Sequence, residues 1–218
     1  MPKRIFLVHP TPLALTPVDE AFKTLWPQAQ VLNLLDESLY ADVGANGEVT
    51  PGLLARVASL LRHCEASGAD GIVFSGSTFG PAVEEGRKGM RVPVLRIEEA
   101  MMDEAVARGG SILVVSTQKR AMPVVRGTLD AAAKAAGQSP AIKEIWVSGA
   151  RDALNAGDID QHDRLIAEQS AAAGEFDTIV LSMISMAPAR AKMPPAIASK
   201  TLTSGETAVT RMRKLLGE

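Results

Sequence analysis

The sequence predicts an α/β fold in which parallel strands are covered by helices. Short apolar runs alternate with helical patterns along all 218 residues, which is the order expected of βαβ units. Several runs are apolar from end to end, as a strand buried on both faces requires. Helix caps of familiar type separate the runs.

In chain order the clearest strands are Ile5–Val8, Val31–Leu34, Gly71–Phe74, Val92–Leu95, Ile112–Val115, Glu144–Val147 and Thr178–Leu181, with a weaker eighth near Lys200–Leu202. Thr16-Pro17 offers an N-cap followed by proline at the first helical position, and Thr50-Pro51 repeats the device. From Pro51 onward Leu53, Leu54, Val57, Leu60, Leu61 and Cys64 fall at helical spacing, and Gly68 supplies the stop. Thr203 and Glu206 read as a capping box opening a last helix that carries Val209, Met212 and Leu216. The order is βαβαβαβα twice over, with the change of half near Arg96–Glu98 and no linker there.

Composition narrows the function classes. Apolar residues at 46% and charged residues at 22% describe an ordinary globular chain. A net charge of −2 gives no steering towards nucleic acid or an anionic membrane, so neither is expected as a partner. The short basic clusters Arg87-Lys88 and Arg211-Met212-Arg213-Lys214 read as solvated helix faces or helix ends. A single cysteine excludes an internal disulfide and an all-cysteine metal site. His9, His63 and His162 lie far apart without ligand spacing, so no metal site is expected. The start of the chain lacks a signal-peptide apolar core, and no apolar run has the length of a membrane span, which gives a cytoplasmic expectation.

In open parallel sheets ligands bind beyond the carboxyl ends of the strands. That rule selects five loops: His9-Pro10-Thr11-Pro12, Ser75-Gly76-Ser77-Thr78-Phe79-Gly80, Ser116-Thr117, Ser182-Met183-Ile184-Ser185-Met186, and Thr203-Ser204. All are rich in hydroxyls and most run directly into a helix, whose free N–H groups and positive dipole end suit a carboxylate. The plainer reading of each hydroxyl is a helix N-cap.

The stretch from Gly71 to Pro81, Gly-Ile-Val-Phe-Ser-Gly-Ser-Thr-Phe-Gly-Pro, resembles the first active-site segment of the aspartate/glutamate racemase superfamily. That superfamily includes amino-acid and hydantoin racemases, maleate isomerase and arylmalonate decarboxylase. The likeness continues through Pro93-Val94-Leu95 with Glu99-Ala100-Met101, and Leu113-Val114-Val115-Ser116-Thr117. It resumes at Gly157-Asp158 with His162-Asp163, Ile179-Val180-Leu181 with Ser185-Met186-Ala187, and Leu202-Thr203-Ser204. The resemblance implies two flavodoxin-like lobes, each with a parallel four-stranded sheet, related by a pseudo-twofold axis, with a small carboxylic acid held in the cleft between them. The final strand and helix resemble the crossover back, so lobe 1 takes residues 1–97 and 200–218 and lobe 2 takes 98–199. No organic cofactor or metal is implied, and a homodimer is left open.

Racemases of this family place two cysteines on opposite sides of the substrate α-carbon, because inversion needs a proton acceptor on one face and a donor on the other. In this sequence those two positions hold Gly76 and Met183, neither of which can take up a proton. The sole thiol, Cys64, lies on the apolar stripe of a helix and reads as core. Two-cysteine racemisation is therefore not expected. Candidate acid/base groups are His9, which follows an apolar strand, and Glu98 and Glu99, which also suit a helix start on dipole grounds alone. Candidate carboxylate or oxyanion donors are Ser75, Ser77, Thr78, Ser116, Thr117, Ser185 and Thr203. His162 reads as a surface residue in a polar helix start, and Tyr40 and Trp146 as packing residues.

Three functions fit these residues. The first is an enzyme that keeps the carboxylate site and works by other groups, as a lyase, decarboxylase or isomerase. It comes first because a formed cleft with many aimed donors tends to be used. The second is a non-catalytic carboxylate-binding protein derived from the same fold, and the third an active-site-substituted version of a racemase. Nucleotide binding has no support, since neither G-x-G-x-x-G nor a P-loop occurs.

Overall fold

The first strand, β1 (Arg4–His9), puts Ile5, Leu7 and Val8 wholly out of solvent. The computed structural model describes residues 1–43 and 48–218, and in it β1 is an inner strand of a four-stranded parallel sheet. After it come α1 (Leu15–Leu25), β2 (Gln30–Leu35), the short α2 (Ser38–Ala41), α3 (Pro51–Ala66), β3 (Gly71–Phe74), α4 (Gly80–Gly86) and β4 (Val94–Arg96). The sheet order is β2-β1-β3-β4. Register sets Val8 beside Leu34 on one side and Phe74 on the other. Leu53, Val57, Leu61 and Cys64 of α3 pack one face of this sheet through Val8, Ile72 and Phe74.

α5 (Glu99–Arg108) leads into the second sheet. There β5 (Ser111–Ser116), α6 (Met122–Ala135), β6 (Ala141–Trp146), α7 (Ala150–Asn155), α8 (Ile159–Ala172), β7 (Thr178–Leu181), α9 (Pro195–Ala198) and β8 (Thr201–Thr203) follow in turn. The sheet order is β6-β5-β7-β8, again all parallel. The two sheets thus share one winding, and the twice-repeated element order read from sequence is a repeated topology. The last helix, α10 (Ser204–Leu215), belongs with the first sheet: residues 1–100 and 205–218 form one compact unit, residues 101–204 the other. Its Met212 sulfur lies 2.5 Å from where a β-carbon on Gly71 would stand, so glycine there permits the helix to seat on β3.

Several elements depart from expectation. β8 was expected to return with the C-terminal segment to the first lobe, but it pairs with β7, so the chain leaves the second unit only after Ser204. Thr16-Pro17 does not open α1. Thr11-Pro12 does the same job one turn earlier, Thr11 accepting from the Leu13 N–H at the head of a 3₁₀ turn that runs into Leu15. Thr50 caps α3 as expected, its hydroxyl accepting from the Leu53 N–H at 3.3 Å, and Gly68 follows the helix with φ +81°. His162, expected at the surface, is fully buried with Asp163. Residues 162, 163, 166, 167 and 170 form the inward stripe of α8, which the polarity of its first turn conceals. Trp146, expected to pack, is 44% exposed on the edge strand β6. Tyr40 is 40% exposed and meets Phe79 edge-on. Among the described residues no helix is long and apolar enough to cross a membrane.

Candidate active site

β1 and β3 are neighbours with Val8 opposite Phe74, so the next residues of each, His9 and Ser75, emerge side by side at the carboxyl ends. The Ser75 N–H donates to the Val8 carbonyl and holds that arrangement. His9 is wholly buried and Ser75 is 7% exposed. Their side chains meet, His9 Nδ1 lying 2.8 Å from Ser75 Oγ. On its other side His9 Nε2 lies 2.8 Å from Oδ1 of Asn33 in β2, and Asn33 Nδ2 donates to both oxygens of Asp19 in α1 at 3.1 and 3.3 Å. β1, α1, β2 and the residue that follows β3 therefore contribute one side chain each to a continuous chain of hydrogen bonds.

The direction of every bond in this chain follows from one acceptor. Carboxylate Asp19 only accepts, so the Asn33 amide turns its NH2 outward and its carbonyl towards the ring. That carbonyl must receive a proton, which puts the imidazole hydrogen on Nε2 and leaves a lone pair on Nδ1. The Nδ1 lone pair then accepts the Ser75 hydroxyl proton. Burial lowers the His9 pKa from its ordinary value, against upward pulls from the Asn33 hydrogen bond and the Asp19 charge. His9 is accordingly neutral at pH 7 and is a base with its acceptor nitrogen already aimed.

Gly76 sits beside this pair in an ordinary extended conformation, φ −123° and ψ 99°. Its need for glycine is spatial: a β-carbon there would lie 2.5 Å from Cγ of Pro10 and 3.2 Å from the rings of Phe74 and Phe79. Ser77 and Thr78 follow, half-buried. The turn they enter has Gly76 at its N-cap and α4 has Phe79, in neither case with a side-chain cap. The capping explanation of these hydroxyls thus fails in this loop.

Other candidates are differently placed. Both Glu99 oxygens are occupied, by Arg87 Nη1 at 2.9 and 3.0 Å and by the Arg96 N–H at 2.9 Å, so this carboxylate ties β4 to α5 and is not available for proton transfer. Its neighbour Glu98 is 4% exposed, and neither of its oxygens has a hydrogen-bond partner. Arg96 Nη1 lies 3.8 Å away. Burial raises the Glu98 pKa, with Arg96 opposing. Cys64 is fully buried, its thiol pushed up to about 11, which removes it from thiolate chemistry.

In the second unit the same positions carry other chemistry. Val115 stands opposite Leu181, so Ser116 and Ser182 are the register counterparts of His9 and Ser75, and Met183 of Gly76. Ser116 is turned into its own loop, where its hydroxyl accepts from the Gln118 N–H and lies 3.2 Å from the Gln118 carbonyl. It is not a free donor. The Thr117 and Ser182 hydroxyls are buried without hydrogen-bond partners. Met183 packs against the core of its unit, Ser185 is half-buried in the 3₁₀ segment Ile184–Lys192, and Thr203 ends β8 buried and already partnered. Among the described residues no three His, Cys, Asp or Glu side chains gather as a metal site.

Sequence reading missed Asn33 and Asp19. The signal for Asn33 was present: an amide in the middle of an apolar strand, Val31-Leu32-Asn33-Leu34-Leu35. Asp19 carried none, since an aspartate on a helix is ordinary.

Comparison with known proteins bears on this arrangement. No curated protein sequence gives a significant match. Among solved structures, allantoin racemase from Klebsiella pneumoniae is 18% identical with a TM-score of 0.69, the match covering 99% of this chain and 88% of that one. Picrophilus torridus aspartate racemase is 12% identical with a TM-score of 0.71, over 99% and 94% of the chains. Glutamate racemase from Campylobacter jejuni subsp. jejuni is 13% identical with a TM-score of 0.69, over 97% and 85%. At such identities these likenesses establish the fold alone. The sequence profile of the Asp/Glu/hydantoin racemases matches residues 19–212, and the chain belongs to that family.

Proposed function

We propose that this protein is a cofactor-independent enzyme acting on a small carboxylic acid, as a lyase, decarboxylase or isomerase and not as a two-thiol racemase. The supporting observation is His9: a neutral imidazole, fixed in one tautomer, with its free nitrogen on Ser75 beside the position where the family resemblance expects a thiol. Glycine and methionine at 76 and 183 offer no proton acceptor. His9 is the base, Ser75 the hydroxyl through which its proton passes, and Ser77 and Thr78 are donors to the substrate carboxylate.

A panel of small mono- and dicarboxylic acids, followed by NMR in deuterated buffer, tests the reading. At least one acid is expected to be consumed, or exchanged at its α-carbon, faster than in buffer. Calorimetric titration of Thr78→Val should then show weakening by about 1–3 kcal/mol, roughly ten- to hundredfold. Binding without turnover would make the chain a carboxylate-binding member of the family. No binding by any acid in the panel would overturn the proposal.

A further inference from the structure

We infer that Ser75 is a hydroxyl nucleophile, activated by His9, with Asn33 and Asp19 as its positioning residues, and that the protein therefore has an acyl-transfer activity towards esters or thioesters of small carboxylic acids. This goes beyond proton transfer on a free acid and needs only the first unit.

The geometry is that of an activated nucleophile: a hydroxyl within hydrogen-bond reach of a base, the base oriented by a third group. Here the three spacings are 2.8 Å from Ser75 Oγ to His9 Nδ1, 2.8 Å from His9 Nε2 to Asn33 Oδ1, and 3.1 Å from Asn33 Nδ2 to Asp19 Oδ1. His9 is held at both nitrogens, and its orienting amide is itself held by a carboxylate. The order of charge also fits. When His9 gains a proton, the imidazolium faces the Asn33 carbonyl, with the Asp19 carboxylate one amide further out. Asp19 and Asn33 border a surface hollow of about 230 Å³, so the outer end of the chain meets solvent while the inner end, at Ser75, lies at the carboxyl edge of the sheet.

The step balances without a further reactant. Ser75 Oγ bonds to the carbonyl carbon as its proton moves to His9 Nδ1. The bond from that carbon to the leaving oxygen or sulfur breaks, and His9 returns the proton to the leaving group. Water then attacks the acyl–Ser75 ester, its proton passing to His9 Nδ1 and on to Ser75 Oγ as the acid departs.

The test uses the full chain and p-nitrophenyl acetate. At pH 7.5, release of p-nitrophenolate is expected in a burst of one equivalent per chain, with a single acetyl group mapped by peptide mass spectrometry to Ser75. Ser75→Ala should abolish the burst, and His9→Gln should slow it by about a hundredfold or more. Asn33→Leu should slow it by up to about a hundredfold through misplacement of the ring. Asn33→Leu should also move the inflection of the pH–rate profile downward, because the Asn33 bond holds the His9 pKa up, and a merely structural role would leave that inflection in place. Cys64→Ala should change nothing. Acetyl groups mapping to lysines, to His9 or to the N-terminus of the unsubstituted chain would overturn the inference without recourse to any variant. Acylation of Ser75 with no turnover of free acids would sink the proposed function and leave this inference standing; the converse result would do the reverse.

Discussion

Two pairs of strand ends in the same register carry different side-chain chemistry. In the first unit the inner strands β1 and β3 end in His9 and Ser75, joined to each other and backed by Asn33 and Asp19. In the second, β5 and β7 end in Ser116 and Ser182, which do not engage each other: one is folded into its own loop and the other is buried without a partner. The backing residues differ in kind as well. Leu7 stands opposite Asn33 and its counterpart Val114 opposite Glu144, which pairs with Arg126 of α6 at 3.4 Å. An ion pair of this type, both partners partly exposed, is worth little and holds no ring in a tautomer. A shared winding fixes where side chains emerge; only the residues at those points decide whether protons can move.

The widest separation between the units should come from the two strand-end substitutions. His9→Ala is expected to lower turnover of any accepted substrate by about a hundredfold or more. Ser116→Ala, at the equivalent register, should leave turnover unchanged and cost about 0.5–1.5 kcal/mol of stability through its lost loop bonds. Steady-state kinetics and denaturant melts on both variants check the contrast, and equal kinetic losses would erase it.

Next in size is the pair of positions where the family resemblance expects thiols. Gly76→Cys should destabilise the fold by about 1–3 kcal/mol, because its new β-carbon meets Pro10 at 2.5 Å. Met183→Cys, which removes bulk from a half-buried side chain, should cost less. A Gly76→Cys variant melting at the same temperature as the unsubstituted protein would show that Pro10 yields freely.

The smallest effects concern carboxylates. Burial raises the folded pKa of Glu98 above its unfolded value. Its favourable contribution is therefore fully present below the unfolded pKa and is lost as pH rises through the folded one. Glu98→Gln should flatten that decline, so the variant gains on the parent as pH is raised from mildly acid to neutral. Glu144→Gln should change stability by under about 1 kcal/mol at any pH in that range. Thermal melts across pH would reveal a mistake if Glu98→Gln lost stability relative to the parent at the higher pH.

The fold was legible where burial is complete. β3 and β7 match their expected bounds because all four residues of each are apolar or small and out of solvent. The edge strands were blurred: β4 runs Val94–Arg96 and β8 Thr201–Thr203, short pieces with one neighbour each, whose limits are set by pairing and not by hydrophobicity. Of the candidate site, the placement of His9 and Ser75 at strand ends was legible from the apolar runs before them. The partners of His9 were not, because hydrogen bonding between Asn33 and Asp19 joins residues whose types are unremarkable singly. Glycine at 76 is not explained by its own backbone, which any residue adopts. The reason lies across the loop, in Pro10, and no local pattern could disclose it.

The contact between Gly76 and Pro10 also constrains descent. A lineage that carries Pro10 cannot acquire a side chain at 76 by a single neutral step, since the newcomer collides before it can contribute any chemistry. Any side chain at 76, a thiol included, would need the Pro10 ring to shift or position 10 to change. Two residues that share no catalytic role are thus coupled, and Gly76→Ala combined with Pro10→Ala should cost less stability than the sum of the two single changes.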